Sequence, residues 1–377
     1  MKKIVLHGFY GQGNLGDEAI LKALLEQFSE RHNLKLVVFC RNPEKVSDQY
    51  GVKSVHSQSG RHWLERIWEL KTAGLYILGG GGLIKDYGGS SASLEGWLEI
   101  LRLCKKLHVK TALCAVGVEN IRYPRSKTVL KQVLDKVDFI TVRDEDSKNL
   151  LKEIGIENNI DVISDPAILL TEGKTRKLAE KKNDRLVRVI VCVRHWFDQG
   201  FFIADPAKNE NLANALSRTL DFLVDNYNVR IDFIPMRTVS YDDDREMAKE
   251  IVKYMKNKNK AALHLYSTST SVDEFTREVD RCTLVIGMRL HSLILAAASG
   301  VPIIGLEYMP KVKAFMASIG MQEFSHNLEN LTASTLIHSI KKILGNYENY
   351  SSQLVLKIAE KKQILSQSIE QLVKRND

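Results

Sequence analysis

The stretch "KIVLHGFYGQGNLGDEAILKALLEQF" (residues 3–28) decides the fold. An apolar run comes first and a glycine-rich turn follows. The segment after the turn places Ile20, Leu24 and Phe28 on one helical stripe. A strand, a turn and a helix in this order open a Rossmann-like β-α-β unit. The stretch therefore predicts an α/β fold.

The turn also has the G-x-G-x-x-G spacing of a dinucleotide site (residues 11–16). Two departures argue against such a site. Asp17 and Glu18 stand in the first helical turn, where their charge would repel a diphosphate. The sequence "CRN" (40–42) stands where an acidic residue would meet the ribose. Two alternatives are left: a simple helix cap, or a turn whose backbone amides, with Asn14 and Asp17, face a ligand.

Apolar runs alternate with amphipathic segments along most of the chain, which is typical of parallel sheets built from β-α-β units. A lysine-rich segment (171–185) interrupts the alternation and is predicted to be a linker. It separates an N-terminal Rossmann-like domain (1–170) from a C-terminal one (186–346). One long helix (347–377) follows, and we expect it to pack back on the first domain. The strand-like runs are "KIVLHG", "LKLVVFC", "LYILGG", "KTALCAVG", "DFITVR", "DVIS", "VRVIVCV", "VRIDFIP", "AALHLYS", "RCTLVIG" and "VPIIGL".

The composition is that of a soluble globular protein. Of 377 residues, 44% are hydrophobic and 27% are charged, and a chain of this length fits two domains. No run approaches the roughly 20 apolar residues of a membrane span, and the N-terminus has no cleavage-site pattern. The five cysteines form no C-x-x-C pair and lie mostly in or beside apolar runs. We therefore expect reduced core thiols and a cytoplasmic protein.

The net charge is +8, with lysines spread along the chain, and the densest cluster, "KNKNK" (256–260), has no interleaved aromatic residues. We therefore expect no nucleic-acid partner. An anionic small substrate, or peripheral contact with the anionic inner face of the cytoplasmic membrane, accounts for the charge equally well.

The densest group of chemically active residues is in "VIGMRLHSLILAAASGVPIIGLEYMPKV" (285–312). Arg289 and His291 follow a predicted strand at the start of an apolar helix, where unpaired amides favour anions. Glu307 and Lys311 follow the next strand. Arginine offers a planar fork to phosphate or carboxylate, and histidine transfers protons near neutral pH. This pattern favours an anion site over a set of ordinary surface and core residues.

Other charged residues also follow predicted strands, where α/β sheets bind ligands. Taken singly, each one is most simply a surface ion-pair residue. Their repetition at strand ends in both halves predicts a site in a cleft between the domains. They are Lys85 and Asp86 after a four-glycine run that includes Gly81, Arg143 before a helix cap, Asp165 before a proline, and Arg194.

Metal and nucleophile chemistry has little support in the sequence. The histidines show neither the i, i+4 pairing nor the H-x-H spacing of a zinc site. No G-x-S-x-G elbow or G-x-x-x-x-G-K-[ST] loop is present. We therefore predict no metal site.

The motifs together resemble the polysaccharide pyruvyl transferase family, and in particular bacterial enzymes that pyruvylate N-acetylmannosamine in secondary cell-wall polymers. The resemblance covers the chain up to about residue 320. One departure is "AVGVEN" (115–120), where many members read glycine, apolar residue, glycine, proline. The motifs that carry the resemblance are "GNLGDEAIL", "LGGGGLIKD", "VRDEDS", "SDPAILL" and "MRLHSLILAAASGVPIIGLEY".

The resemblance implies a GT-B-like fold and phosphoenolpyruvate as a co-substrate, with no separate cofactor. The product is a cyclic pyruvate ketal on a glycan sugar, and we expect that acceptor to be a lipid-linked amino-sugar glycan. Carried over by motif, Arg143, Arg289, His291 and Lys311 would hold or activate the donor, and Asp17 would face the acceptor. We add Arg194 and Leu290 to the predicted donor-binding residues. The other predicted acceptor-binding residues are Asn14, Gly81, Lys85, Asp86 and Glu307.

The residues suit this chemistry on physical grounds as well. Phosphoenolpyruvate carries about three negative charges near neutral pH, and burying them requires several cationic partners. His291 is the predicted acid, and Asp17 or Asp165 is the predicted base. A nucleotide-sugar glycosyltransferase is the main alternative function, because the same cations would hold a diphosphate. A non-catalytic glycan-binding protein is a further alternative, and a dehydrogenase a more distant one.

Overall fold

Two parallel β-sheets organise the chain in the computed structural model. One unit comprises residues 1–167 and 361–377, and the other comprises residues 168–360. We call them unit 1 and unit 2 and describe each by itself. The structure describes residues 2–29, 34–58, 60–86, 91–178, 186–196, 205–257, 262–268 and 270–374.

Unit 1 has a seven-stranded parallel sheet in the order β3-β2-β1-β4-β5-β6-β7. The order reverses between β1 and β4, and ligands bind beyond the carboxyl ends of strands at such a switch point. The strands are β1 (Lys2–His7), β2 (Leu34–Cys40), β3 (Lys53–His56), β4 (Leu75–Ile84), β5 (Lys110–Val118), β6 (Phe139–Val142) and β7 (Ile160–Val162). The helices are α1 (Leu15–Ser29), α2 (Pro43–Tyr50), α3 (Trp63–Lys71), α4 (Ala92–Lys106), α5 (Pro124–Leu134) and α6 (Glu145–Ile154).

Unit 2 has a six-stranded parallel sheet in the order β12-β9-β8-β13-β14-β15, with its switch point between β8 and β13, and a separate antiparallel hairpin, β10-β11. The strands are β8 (Val187–Cys192), β9 (Val229–Phe233), β10 (Thr238–Val239), β11 (Asp242–Asp243), β12 (Leu263–Leu265), β13 (Leu284–Gly287), β14 (Ile303–Glu307) and β15 (Ser325–Asn327). The helices are α7 (Pro206–Asn226), α8 (Asp244–Tyr254), α9 (Val272–Asp280), α10 (Leu290–Ala298), α11 (Pro310–Ser318), α12 (Ala333–Gly345) and α13 (Tyr347–Lys374).

The predicted α/β class, with two Rossmann-like sheets, is confirmed. Every predicted strand-like run contains an observed strand, because buried parallel strands are continuous apolar runs that stand out in a sequence. The prediction missed β3, β15 and the β10-β11 hairpin, which are short and largely polar. The cysteines are confirmed as buried thiols without disulfides.

The predicted C-terminal helix is present as α13. Its residues up to Glu360 belong to unit 2 and those from Lys361 to unit 1. Of the predicted linker, residues 171–178 belong to unit 2, where Arg176 donates to Ser299 O at 3.0 Å and to Asp280 O at 2.7 Å. Residues 179–185 lie outside the described residues.

The glycines of β4 allow helix α1 to lie directly on the sheet. Gly80 has φ +64°, in the left-handed region, and a Cβ there would collide with the Ile20 side chain. Gly13 has a similar φ of +69°, but a Cβ there would have no neighbour within 4 Å. The α1–β4 approach therefore depends on the missing side chain at Gly80.

We expect Gly80→Ala to destabilise the protein more than Gly13→Ala. Both variants carry the cost of a left-handed alanine, about 1 kcal/mol. Gly80→Ala adds overpacking against Ile20, about 1–3 kcal/mol more. The midpoint of urea unfolding measures the difference. Equal midpoints would show that α1 moves away from the added methyl group without a loss of stability.

Candidate active site

Two predicted site arginines follow neighbouring strands of unit 2. Arg194 comes after β8 and Arg289 after β13, on the two sides of the switch point. Both side chains are nearly buried, with 11% and 12% of their surface exposed. The parallel sheet thus brings together two guanidinium groups that are 95 residues apart in the chain.

Two buried carboxylates hold these arginines. Asp244 accepts from Arg289 Nε at 3.1 Å. Asp242 accepts from Arg289 Nη2 at 2.8 Å and lies 3.1 Å from Arg194 Nη2. A third arginine, Arg237, donates through Nη1 to Asp242 at 3.2 Å. We call these five residues the arginine–aspartate network.

Burial and opposite charges act against each other in the network. Burial alone would lower the pKa of Arg289, but Asp244 and Asp242 raise it well above its usual value. Burial alone would raise the pKa of Asp242, but Arg289 and Arg194 hold it below its usual value. Burial does raise the pKa of Asp244, in spite of the bonds from Arg289. Burial and the charge of Arg289 lower the pKa of Arg194. Asp244 is therefore the carboxylate that takes up a proton first as pH falls.

The strand next to β13 supplies another cation and an aromatic ring. The Tyr308 ring centroid lies 5.6 Å from Arg194 Cζ and 5.5 Å from Lys311 Nζ. Lys311 is the second residue of α11, so this helix adds a positive charge beside the network. Glu307 ends β14 and accepts from the Ser325 hydroxyl at 2.6 Å, which ties it to β15.

The helix after β13 begins at the same place. Arg289 is the N-cap residue of α10, and Leu290 and His291 are its first two residues. Leu290 is buried, whereas His291 is partly exposed. A helix start favours anions through its unpaired amides. The structure therefore brings five predicted residues to adjacent strand ends of unit 2: Arg194, Arg289, Leu290, His291 and Lys311.

A second group of predicted residues comes together in unit 1. Asn14 Nδ2 donates to Asp17 Oδ2 at 2.5 Å. A Cβ at Gly81 would lie only 2.9 Å from Asp17 Oδ1. Burial and the nearby charges of Asp17 and Asp165 raise the pKa of Tyr10, which places both predicted bases near one buried ring. The glycine turn after β1 and the glycine run of β4 therefore meet at Asp17.

Arg143 lies in unit 1, after β6, and is buried among carboxylates. Its Nε lies 3.2 Å from Asp144 Oδ2, and its Nη2 lies 3.5 Å from Glu119 Oε1. Burial alone would lower its pKa, but Glu119, Asp144 and Asp165 raise it. A side chain at Gly117 would occupy the place of the guanidinium. Arg143 is thus linked electrostatically to Asp165.

Lys85 and Asp86 follow β4 but have different surroundings. A Cβ at Gly82 would lie 4.0 Å from Lys85 Nζ and also close to Glu119. Lys85 and Glu119 therefore lie on the same side of Gly82. Asp86 accepts from the Arg122 amide at 2.7 Å and from the Ser126 hydroxyl at 2.6 Å. Those bonds tie Asp86 to the start of α5 and not to the group at Asp17.

The sequence reasoning missed Asp242, Asp244, Arg237 and Glu119. The first two lie in "DDD" (242–244), a pattern that is typical of a helix start. It gives no indication that these aspartates contact the arginines. Glu119 lies in "AVGVEN", directly after β5, so the strand-end rule could have found it. Nothing in the sequence pairs Arg237 with Asp242.

Two doubly wound units in one chain, each with a parallel sheet and charged residues at its strand ends, define an α/β protein with two Rossmann-like sheets. The sequence model of the family described as "Polysaccharide pyruvyl transferase" matches residues 14–309. The chain belongs to that family.

The chain is also similar to individual proteins. It is 22% identical to the amylovoran biosynthesis protein AmsJ of Erwinia amylovora, over 97% of this chain and 98% of the relative. Its fold is similar to that of a glycosyltransferase from Rickettsia africae, with a TM-score of 0.63, 11% identity, and coverage of 99% of this chain and 98% of the other. A UDP-GlcNAc 2-epimerase from Methanocaldococcus jannaschii gives a TM-score of 0.58 at 12% identity, with coverage of 90% and 92%.

None of the helices described has the length and apolar character required to cross a bilayer. In the same part of the chain, no three His, Cys, Asp or Glu side chains are grouped so as to hold a metal ion.

We expect Asp242→Asn to destabilise unit 2 by about 3–5 kcal/mol, because removing one partner of a buried ion pair leaves uncompensated charge. Added inorganic phosphate should then raise the melting temperature more in this variant than in the wild type. Asp243→Asn is the matched control, since Asp243 pairs with the partly exposed Arg245. A melting temperature of Asp242→Asn no lower than that of the control would contradict the role of the network.

Proposed function

We propose that this protein transfers the pyruvyl group of phosphoenolpyruvate to two hydroxyls of a cell-surface glycan sugar as a cyclic ketal and releases phosphate. The acceptor we favour is N-acetylmannosamine in a lipid-linked glycan, at the cytoplasmic face of the membrane. The observation that carries the proposal is the convergence of Arg194, Arg289 and Lys311 at adjacent strand ends, beside His291 at a helix start.

The charge balance of unit 2 supports a small polyanion as the donor. In the network, three arginines outnumber two carboxylates by one, and Lys311 adds another positive charge. Phosphoenolpyruvate brings about three negative charges, from a phosphate and a carboxylate. Arginine forks suit both groups because they donate two parallel hydrogen bonds. The donor therefore more than neutralises the net positive charge that the aspartates leave.

The residues supply an acid and a base for ketal formation. His291 gives a proton to the methylene carbon of the donor, and positive charge develops at C2. One sugar hydroxyl attacks C2 and loses its proton to Asp17 or Asp165. The bond between C2 and the phosphate oxygen breaks, and phosphate leaves with the electron pair. The second hydroxyl then attacks C2 and loses its proton to the deprotonated His291, which closes the ring and restores the acid.

Fixed positive charge stabilises this reaction at two points. The guanidinium groups are held in place by Asp242 and Asp244 before the donor arrives, so little reorganisation is needed. They also neutralise the departing phosphate. Proton transfer by a positioned acid typically accelerates a reaction by a factor of about 10²–10⁴.

Incubation with phosphoenolpyruvate and a panel of amino-sugar glycosides tests the proposal, with released phosphate as the measured product. We expect phosphate release that depends on one sugar. In His291→Ala, kcat should fall by about 10²–10⁴ while phosphoenolpyruvate still raises the melting temperature. Undiminished kcat would remove His291 from the role of acid.

Lys311→Ala should raise the KM for phosphoenolpyruvate about tenfold or more, because the loss of one charge-assisted contact costs about 1.5–3 kcal/mol. Lys313→Ala is the control, since Lys313 lies on the same helix with an exposed side chain. Equal KM values in the two variants would place Lys311 outside the donor site.

The melting temperature with each candidate donor distinguishes a glycosyltransferase from the proposed pyruvyl transferase. The true donor raises the melting temperature, whereas a compound that does not bind leaves it unchanged. Stabilisation by UDP-sugars together with none by phosphoenolpyruvate would replace the proposal with its alternative.

A further inference from the structure

The carboxyl ends of β1, β2 and β3 carry basic side chains that the proposed reaction does not use. His7 ends β1, Arg41 follows β2 and His56 ends β3. Arg66, on α3, donates through Nη1 to the His56 carbonyl at 2.9 Å. We call these four residues the basic edge.

His7 has one ring nitrogen that faces no described partner. Its Nδ1 lies 2.7 Å from the Tyr76 hydroxyl, whereas its buried Nε2 has no hydrogen-bond partner among the described residues. When Tyr76 donates to Nδ1, the proton of the neutral ring is on Nε2 and can be donated to a ligand oxygen. A buried donor without an acceptor costs about 1–3 kcal/mol, so a ligand oxygen there would be stabilising.

Burial and positive charges both act on the His7 ring. Burial, and then the charges of Arg66 and Arg41, lower the pKa of His7 to about 3. Burial and the charges of Arg41, His62 and Arg66 lower the pKa of His56. Burial also lowers the pKa of Arg66, against the pull of Glu99.

Few carboxylates compensate the basic edge. The His62 ring stacks on His56 at 6.0 Å and pairs with Glu65 at 3.2 Å. Glu99 acts on Arg66 from a distance. The exposed side chain of Arg41 forms no ion pair within the described part of the chain. An anion would therefore balance the charge of the exposed Arg41.

The basic edge is a neighbour of the predicted acceptor group. The Arg41 amide donates to the carbonyl of Tyr10, in the glycine turn, at 3.1 Å. That turn leads directly to Asn14 and Asp17. A molecule whose sugar lies at Asp17 can therefore extend a charged substituent toward Arg41.

Helix α3, beside the basic edge, exposes large hydrophobic side chains to solvent. Trp63, Leu64 and Trp68 are 37%, 78% and 64% exposed. Exposed tryptophan beside basic residues is typical of surfaces that lie at the headgroup level of a bilayer. This favours a phosphate group carried by a lipid over one carried by a soluble molecule.

We propose that the basic edge binds a phosphate or diphosphate ester, namely the one that links the glycan acceptor to its carrier. The assignment to the acceptor rests on the proposed function, whereas the anion site itself does not. Arg41 and Arg66 supply charge, and His7 Nε2 supplies a neutral donor. The site thereby selects acceptors that are still attached to their carrier.

Binding of inorganic pyrophosphate, followed by calorimetry, tests the anion site directly. Arg41→Gln should weaken this binding about tenfold, because the variant loses one charge-assisted hydrogen bond to the anion. Arg61→Gln is the matched control, because Arg61 is also exposed and precedes α3. Arg66→Gln should weaken binding as well, and the exposed Arg41 decides the outcome if burial of Arg66 makes that variant unstable. Wild-type affinity in Arg41→Gln would overturn the site.

Two acceptors with the same sugar, one bearing a diphosphate and one a phosphate-free glycoside, test the link to the reaction. The ratio of their kcat/KM values should fall about tenfold in Arg41→Gln and stay unchanged in Arg61→Gln. If neither acceptor supports turnover while pyrophosphate binding depends on Arg41, the proposed function fails and the anion site stands.

Cosedimentation with phosphatidylcholine vesicles, with and without a polyprenyl diphosphate, identifies the source of the phosphate. Binding only to vesicles with the lipid diphosphate, weakened in Arg41→Gln, supports a lipid carrier. Arg41-dependent binding of free pyrophosphate without binding to either vesicle supports the same site with a soluble phosphate ester as its ligand.

Discussion

Three guanidinium groups of unit 2 are held by two buried carboxylates, and the geometry of the candidate site depends on that arrangement. Like charges this close would repel one another, and burial would penalise each of them. Asp242 accepts hydrogen bonds from Arg289 and Arg237 and lies within ion-pair distance of Arg194, so it helps to fix the positions of all three. Because the carboxylates are fewer than the arginines, the held cations keep a net attraction for an anion. Preorganisation of this kind reduces the reorganisation that a reaction otherwise requires.

Much of this framework could be predicted from the sequence, because parallel strands are apolar runs and their carboxyl ends meet at one edge. Arg194, Arg289 and Lys311 were found by that rule alone. Asp242 and Asp244 were not, since the two-residue strands β10 and β11 have no periodic pattern. A contact between a hairpin and a strand end on another part of the sheet is set by tertiary packing, which local sequence does not record.

Tertiary packing also decides the surroundings of the residues in unit 1 that were predicted to bind the acceptor. In unit 1, the glycines of β4 let the strand and helix α1 approach closely, and Gly80 and Gly81 lie against α1. Asp86, chosen by the same strand-end rule, instead holds the start of α5 through the Arg122 amide and the Ser126 hydroxyl. A carboxylate after a strand can face a ligand or cap the next helix. The choice depends on which donors come near in the folded chain.

The two basic regions also differ in how their charge is balanced, and that difference assigns them different roles. In unit 2, carboxylates raise the pKa of Arg289 and keep the cation fully charged at all physiological pH values. In unit 1, burial and the charges of neighbouring cations lower the pKa of His7 and of His56, so His7 is a neutral hydrogen-bond donor beside the exposed charge of Arg41. An anion at the basic edge would offset the neighbouring charges but not the burial. Fixed charge suits the stabilisation of a reacting group, whereas a neutral donor beside an exposed cation suits recognition of a part of the substrate that does not react.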